Sequence, residues 1–490
     1  MIIEKKDLSK IRKKYKDKKI GLCHGVFDII HAGHISYINS AKKKVDILIV
    51  SITADKYVNK GIDKPYNNHQ KRIQIIDNLR NVDYTVVNNN HSSENIIELL
   101  KPNFYFKGKD YLKQDFGGNL NKEIKKLKKN KGKFIILNDQ LMSSSKIYNH
   151  KILPNSKIKE YLLRLSKNIN IQKIINKLKT ASTKEVNIIG EPIIDFYTSS
   201  QVLGLTTKNS VLSVVKKKNE SIPGGVMAIA KMFSHFVNKV NLYTYGQQKI
   251  IKKMLKDYKN INIINICPYK QIQIKKRYIN NYNKEKLIQV SNFRFNSFSQ
   301  NEKKSIIKKI KKIKDHLIIC DFGVGLFSNE IVKTINNIKI KKYINVQTNS
   351  LNYGLNFFSK YKNFYYMSLN EKEWSLGLGL PSIIDINIFH TKIIKKNNSI
   401  SITKGKDGSV YLIGKSNYKA PAILTNLIDT TGCGDAYFAL TSLGIMSKVE
   451  NKFVPFLGNL YAGIHGLEIG NKKILDNIGF YNAVKSNLNY

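Results

Sequence analysis

The sequence predicts an α/β protein of two doubly wound, three-layer domains, the second carrying a small β-lid. Three observations predict it. The chain has 490 residues, enough for two domains of ordinary size, each with its own core. Short apolar runs alternate with amphipathic stretches through both halves, the pattern of strands joined by helical crossovers in a parallel sheet. Two stretches of the second half instead alternate apolar and polar residues with no helix between them, which suits a small sheet over an α/β body.

In the first half, Ile20–His24, Asp46–Ile52, Val82–Val87, Phe104–Lys107 and Phe134–Leu137 read as strands. Gly33–Lys44, Asn68–Arg80, Ser93–Leu100 and Leu120–Lys129 read as the helices between them. Ligands of such sheets bind beyond the carboxyl ends of the strands. A polar, lysine-rich stretch from about Asn155 to Lys179 reads as a helical linker. A second series of strands follows at Val186–Gly190, Lys239–Tyr245, Leu317–Asp321, Tyr365–Leu369 and Ser399–Thr403, and the lid segments are Gln201–Val215 and Gln271–Val290. The expected domains are residues 1–150 and 184–490, with 151–183 as the linker.

Lys and Arg number 83 against 35 Asp and Glu, a formal charge of +48. The lysines are spread along the whole chain and mixed with Asn and Ile, so they read as a solvated surface rather than a nucleic-acid patch. Such a surface would steer anionic substrates. No apolar run reaches the roughly 18 residues that would span a bilayer, and Met1–Lys19 lacks the apolar core of a signal peptide. Cys23, Cys267, Cys320 and Cys433 are scattered, with no CxxC spacing. A cytoplasmic protein with neither nucleic-acid nor membrane partners is expected.

The first chemical motif is Gly25-Val-Phe-Asp-Ile-Ile-His-Ala-Gly-His34, placed between the first strand and a helix. Two imidazoles three residues apart at a helix start face one side. Gly33 lets a nucleotide approach the backbone, and the free amides of the helix start attract phosphate. Attack of a phosphate oxygen on the α-phosphorus of a nucleoside triphosphate builds charge there and on the departing pyrophosphate. The nucleophile is already an anion, so the chemistry needs positioned donors more than a base. His31 and His34 are the expected donors, helped by Lys43. Ser143-Ser-Ser145, a hydroxyl cluster read as opening a later helix, is a second phosphate site of the same logic.

The wider pattern GxFDxxHxGH, with Ile38 and Ala41-Lys-Lys43 following, resembles the cytidylyltransferase-like family of nucleotidyltransferases over residues 19–150. It is nearest to the transferase half of the bifunctional heptose-phosphate kinase/adenylyltransferases. The resemblance implies that Gly25, Phe27, Asp28 and Gly33 line the nucleotide and that Arg72 contacts phosphate. It further implies that Lys107 and Asp110 meet a phosphosugar, and that Ser143, Ser144 and Ser145 cradle the triphosphate.

The second motif is Asp429-Thr-Thr-Gly-Cys-Gly-Asp-Ala-Tyr-Phe438. Gly432 and Gly434 let successive backbone N–H groups converge on one anion ahead of a helix whose dipole adds positive potential. Asp435 can take the proton of a sugar hydroxyl as it attacks the γ-phosphate of ATP. Phosphoryl transfer is mainly positioning and charge neutralisation, so one base, an anion hole and Mg²⁺ suffice. Cys433 reads as a small packing residue of the ATP site. The motif resembles the signature of the ribokinase-like PfkB sugar kinases, over residues 184 to about 475.

That resemblance assigns Asn370 and Glu373 to the Mg²⁺–phosphate region, with Glu373 acting on the metal indirectly. Thr403, Lys404, Gly405 and Gly408 fall beside the ATP, and Asn459 borders the adenine. Asp195, Gly224 and Gly225 fall at the sugar, and Arg277 at a distant phosphate on it. Ala228 stands where the family carries an Asn, and Val346-Gln-Thr-Asn349 where a strand often ends Asp-Pro-Lys. The transferase-first order also reverses the order expected of the heptose enzymes.

The expected function is bifunctional synthesis of a nucleotide-activated sugar for surface polysaccharide. A kinase half would phosphorylate a sugar or sugar phosphate, heptose 7-phosphate first among candidates. A transferase half would couple the sugar 1-phosphate to a nucleotide from ATP or CTP. The resemblance to ribokinase-like kinases implies a homodimer through the lid. The alternative is an active transferase whose kinase half only binds sugar or dimerises.

Overall fold

The computed structural model describes residues 1–58, 65–108, 119–137, 156–167, 169–292, 294–349, 352–380, 398–472 and 474–489. The chain divides into two compact units, Met1–Lys167 with Ile478–Tyr490, and Asn168–Asn477.

In the first unit the elements run β1 (Ile2–Ile3), α1 (Leu8–Lys14), β2 (Ile20–Gly25), α2 (Ala32–Lys42), β3 (Ile47–Thr53) and α3 (His69–Asp77). They continue through β4 (Tyr84–Asn88), α4 (Glu94–Leu100), β5 (Phe104–Gly108), α5 (Asn119–Lys129), β6 (Lys133–Leu137) and α6 (Ser156–Ser166). The sheet order is β1-β4-β3-β2-β5-β6, and every pairing is parallel. Successive side chains of a strand point to opposite faces. Accordingly Cys23, Val50 and Phe106 pack with α2 and α3 residues such as Ile38, Ile73 and Ile76. Their neighbours Leu22, Ile49 and Tyr105 pack on the other face with Leu8, Ile96, Ile97 and Leu127. Two cores on one sheet make the three layers. The strand order reverses at β2, between β3 and β5, so the crevice that binds ligands in such sheets opens at the carboxyl end of β2.

The second unit begins with α7 (Ile171–Lys179) and β7 (Glu185–Gly190), then β8 (Pro192–Leu205), β9 (Leu212–Gly225) and α8 (Val226–Ser234). Next come β10 (Lys239–Tyr245), α9 (Gln248–Met254), β11 (Ile261–Cys267), β12 (Gln273–Asn280), β13 (Lys286–Asn292) and α10 (Gln300–Ile310). They are followed by β14 (Leu317–Asp321), α11 (Asn329–Asn337), β15 (Lys342–Val346), β16 (Tyr366–Asn370), α12 (Glu371–Leu378) and β17 (Ser399–Thr403). The series ends with β18 (Ser409–Ile413), β19 (Ser416–Ala420), α13 (Cys433–Met446) and α14 (Val454–His465).

A nine-stranded sheet of order β11-β10-β7-β14-β15-β16-β17-β18-β19 is parallel up to β17 and antiparallel beyond. On one face Ile189, Ile319, Ile344, Met367 and Ile400 pack against Ile306, Ile310, Ile331 and Ile335 of α10 and α11. α8, α13 and α14 are buried over most of their lengths. The separate four-stranded sheet, β13-β12-β8-β9, is the expected lid. Gln201–Val215, expected as a single segment, is the tip of the long β8–β9 hairpin.

The expected linker is two helices that fall on either side of the unit boundary. α6 buries Ile158, Tyr161, Leu162 and Leu165, and α7 buries Ile174, Ile175 and Leu178. Both sets follow helical spacing, so each helix has a core face of its own. The last helix, Asn477–Leu488, groups almost entirely with the N-terminal unit. Among the described residues no helix is long and apolar enough to cross a membrane.

Candidate active sites

At the carboxyl end of β2 the chain turns through Phe27, whose φ of +50° lies in the left-handed region. That turn lays the Phe27 ring 5.5 Å from His34 and 6.5 Å from Tyr37. His31, extended at φ −145° and ψ 169°, is the N-cap of α2, and its carbonyl accepts the His34 N–H at 2.9 Å. The two imidazoles stack with centroids 4.0 Å apart and planes inclined by 24°. Gly33 lies between them in the first turn, where backbone amides have no intrahelical acceptor. The structure therefore brings His31, Gly33 and His34 together at the sheet's switch point.

The neighbouring candidates behave differently. Lys43 is the C-cap of α2 and exposed, at the opposite end of the helix from the imidazoles. Nine residues at about 1.5 Å each separate it from His34 along the axis, so its expected catalytic role is withdrawn. Arg72 is fully buried. Its guanidinium donates to the carbonyls of Asn67 (2.9 Å), Val26 and Thr53 (2.8 Å) and to the Asp55 carboxylate (2.7 Å). Those bonds engage all three guanidinium nitrogens, so Arg72 is a strut tying the loops after β2 and β3 to α3, not the expected phosphate contact. Asp28 accepts the N–H groups of Tyr66 (2.8 Å) and Asn67 (2.9 Å), fastening the lead-in to α3 beneath the site. Gly25 closes β2 against the Phe27 ring.

Lys107 is 4% exposed and donates to the His24 carbonyl at 3.0 Å. Around it, burial and the Lys107 charge push His24 down to about 4, leaving it neutral at physiological pH. Burial would raise the Glu123 carboxyl, but the Lys107 charge and hydrogen bonds from Ser93 N–H and Tyr105 hydroxyl hold it below its ordinary value. The structure thus places Lys107 as a buried cation near the end of β5, bonded to the end of β2. Asp110 and Ser143, Ser144 and Ser145 lie outside the described residues.

In the second unit, Gly432 is the N-cap of α13 at φ +83°, and a Cβ there would come 2.5 Å from the Asn471 side chain, so only glycine fits. Cys433 and Gly434 open the helix and Asp435 follows, buried at 7% exposure. Burial pushes the Asp435 carboxyl up to about 7, as does the nearby Asp195 charge, against a hydrogen bond from Gln347 and the charge of Lys275. Burial likewise pushes the Cys433 thiol up to about 12, consistent with packing rather than nucleophilic use.

Asn370 and Glu373 form a capping box on α12, each side chain accepting the other's N–H at 2.8 Å. The second Glu373 oxygen accepts Thr348 N–H at 3.0 Å. Burial raises this carboxyl to about 7, with Asp435 adding to the rise. Thr403 ends β17, and Lys404, paired with Glu371 at 3.1 Å, leads into the turn holding Gly405 and Gly408. Asn459 on α14 donates to the carbonyls of Ala420 and Pro421, both at 2.9 Å, and so anchors the end of β19. Among the described residues no group of three or more His, Cys, Asp or Glu is placed to hold a metal.

On the lid side, Asp195 of β8 is paired with Arg277 of β12, the side chains 6% and 7% exposed. A Cβ on Gly224 would lie 2.2 Å from Asp195 Oδ2, so this glycine is what admits the carboxylate. Gly225 then caps α8, where Ala228 is fully buried. Sequence reasoning did not single out Lys275, two residues before Arg277, or the Gln347 contact to Asp435. Strand alternation places Lys275 on the Arg277 face; nothing in the sequence foretold the Gln347 bond.

Residues 22–154 match the cytidylyltransferase-like family model, and residues 315–452 match the pfkB family carbohydrate kinase model. The chain joins a cytidylyltransferase-like domain to a pfkB carbohydrate kinase domain. Bifunctional protein HldE of Aliarcobacter butzleri is 38% identical over 114 residues, 23% of this chain and 24% of that protein. Bifunctional protein HldE of Wolinella succinogenes is 36% identical over 129 residues, 25% and 27% of the two chains. The chain thus spans about a quarter of the length of these relatives. They carry no ground for a reversed domain order, and that expectation is dropped. Phosphofructokinase-2 from Escherichia coli, in complex with substrates and products, superposes with a TM-score of 0.51 at 12% identity, over 62% of this chain and 98% of that one. In complex with fructose-6-phosphate it gives 0.50 at 11% identity, over the same shares. This likeness bears out the expected fold of the kinase unit.

Proposed function

We propose that the chain makes a nucleotide-activated sugar in two steps. The kinase unit transfers the γ-phosphoryl of ATP to a sugar hydroxyl, with Asp435 accepting the hydroxyl proton and the first-turn amides of α13 neutralising the phosphate. The transferase unit joins the resulting sugar 1-phosphate to a nucleotide from ATP or CTP, and His31 and His34 donate to the charge that builds on the α-phosphate and the departing pyrophosphate. The observation that carries the reading is the pair of helix openings, one bearing stacked imidazoles and the other a buried carboxylate. By the resemblance to heptose-phosphate enzymes, heptose 7-phosphate is the first acceptor to try.

Mg²⁺ fits the kinase site as an ion carried by the nucleotide. Asp435 and Glu373 are both buried carboxyls, the Asp435 charge adds to the raised proton affinity of Glu373, and among the described residues no protein cluster replaces the ion. When bound, it would neutralise phosphate charge between them. Exposed apolar side chains on the lid hairpin and β13, namely Leu203, Leu205, Val211 and Ile288, support a homodimer formed through this sheet. The second reading, a kinase unit that only binds sugar, is favoured by the closed Asp195–Arg277 pair and by Ala228. Incubating the full chain with ATP or CTP and matched sugars and phosphosugars, while following ADP and pyrophosphate, tests both. Pyrophosphate from sugar 1-phosphates with no ADP from any other sugar or phosphosugar of the panel selects the second reading; silence of folded protein across the panel overturns both.

A further inference from the structure

Gln347, the first residue after β15, donates from its amide nitrogen both to Asp435 Oδ1 and to Asn345 Oδ1, the latter at 2.9 Å. An amide nitrogen carries two hydrogens, and these bonds commit both. The orientation is fixed from within the sheet. Asn345, 4% exposed, donates its own amide nitrogen to the Ser368 carbonyl of β16 at 3.0 Å. A carbonyl only accepts, so Asn345 turns its oxygen to Gln347, and Gln347 turns its nitrogen to Asp435. The Gln347 backbone is held as well. Its N–H donates to the Asp321 carbonyl at 2.8 Å, and its carbonyl accepts from the Asn356 side chain at 3.1 Å. Among the described residues no other hydrogen bond reaches the Asp435 carboxylate.

A carboxylate with one oxygen tied to a fixed amide presents its other oxygen in one direction. A donor aimed at a carboxyl also favours the charged form, the form that accepts a proton. The surroundings of Asp435 oppose one another. Burial and the charge of Asp195 on β8 push the carboxyl up, while the Gln347 bond and the charge of Lys275 on β12 hold it down. Glu373 on α12 is a second buried carboxyl, and burial pushes the thiols of Cys320 on β14 and Cys433 on α13 up, so both stay uncharged at neutral pH. We propose that Gln347 is a positioning residue of the kinase unit. Through the relay Ser368–Asn345–Gln347, the sheet aims Asp435 and keeps it a base. The proton of the acceptor hydroxyl passes to Asp435 as the hydroxyl oxygen bonds the γ-phosphorus and the bond from that phosphorus to ADP breaks. This inference rests on the kinase reading of the second unit and adds the group that sets its base.

Two variants of the full chain test the relay. Gln347→Met keeps the length of the side chain without its donors. Gln347→Glu keeps the shape, sets a like charge beside Asp435, and serves where the methionine variant does not fold. Infrared difference spectra between pH 5 and 9, with those of Asp435→Asn subtracted, titrate this carboxyl with no acceptor present. Its midpoint should rise by about one pH unit in Gln347→Met and by more in Gln347→Glu. ADP formation from MgATP with heptose 7-phosphate or fructose 6-phosphate is followed over the same range. In Gln347→Met, kcat at pH 7 should fall about tenfold or more and its pH midpoint should move up in step, with KM for ATP within about threefold of the wild type. An infrared midpoint unmoved in both variants, or a loss carried by KM for ATP at an unchanged pH midpoint, overturns the proposal. A shifted infrared midpoint with no ADP from either sugar phosphate supports the Gln347–Asp435 relay and counts against the kinase reading instead.

Discussion

Replacing Arg72 by Met separates a strut from a substrate contact. Methionine fills much of the arginine stem but returns none of its donors. The Thr53 carbonyl then loses its partner in the interior, and the carbonyls of Val26 and Asn67 lose theirs at part-buried positions. An abandoned buried acceptor costs about 1–3 kcal/mol, and water can reach the two part-buried ones, so Thr53 sets a loss of about 1–3 kcal/mol. The Asp55 pair adds little, because that carboxylate is 36% exposed and screened by water. A domain of this size is stable by roughly 5–15 kcal/mol, and about 1 kcal/mol moves its melting temperature by about 2–4 °C. The N-terminal unit of Arg72→Met should therefore melt about 2–12 °C lower. Scanning calorimetry of the full chain gives the shift, and hydrogen exchange of peptides from β2, β3 and α3 assigns it to this unit. A variant that melts like the wild type and loses only triphosphate affinity would refute the strut and restore the phosphate contact.

His31→Ala and His34→Ala should each lower pyrophosphate release from sugar 1-phosphate by about 10²–10³-fold while sugar-dependent ADP formation stays unchanged; equal loss of both signals would mean a folding defect. Lys43→Ala should leave pyrophosphate release within about twofold of the wild type, since no interaction with the triphosphate is expected at that distance. Asp435→Asn should lower ADP formation by about 10²–10⁴-fold with pyrophosphate release intact. The same carboxyl links stability to pH. Its folded value of about 7 lies above its unfolded one, so its contribution to stability is full below about pH 4 and is lost as pH rises through about 7. The fall in melting temperature of the kinase unit between pH 5 and 8 should accordingly be smaller in Asp435→Asn, and the wild-type kinase rate should rise with pH through about 7 as the base ionises. An identical fall in both proteins would show that Asp435 is not buried as an acid.

What was legible in the sequence was whatever a local pattern decides. The apolar runs of β2 and β14 stand out because a strand buried on both faces has few polar positions to dilute it. The helix openings stand out because glycine and capping chemistry are read within a few residues. Lys43 was misplaced although the pattern held its true position: counting turns from His34 puts it at the far end of α2. Arg72 and Asp195 are a different matter. Each has its meaning fixed by partners distant in sequence, Thr53 and Asp55 for the first and Arg277 for the second, which only strand order and register bring near. A motif identifies a residue type that could touch phosphate, and whether it does depends on how many of its donors the fold has already engaged. For Arg72 the fold engages every guanidinium nitrogen, whereas for Arg277 it engages two, one with Asp195 and one with Gln289.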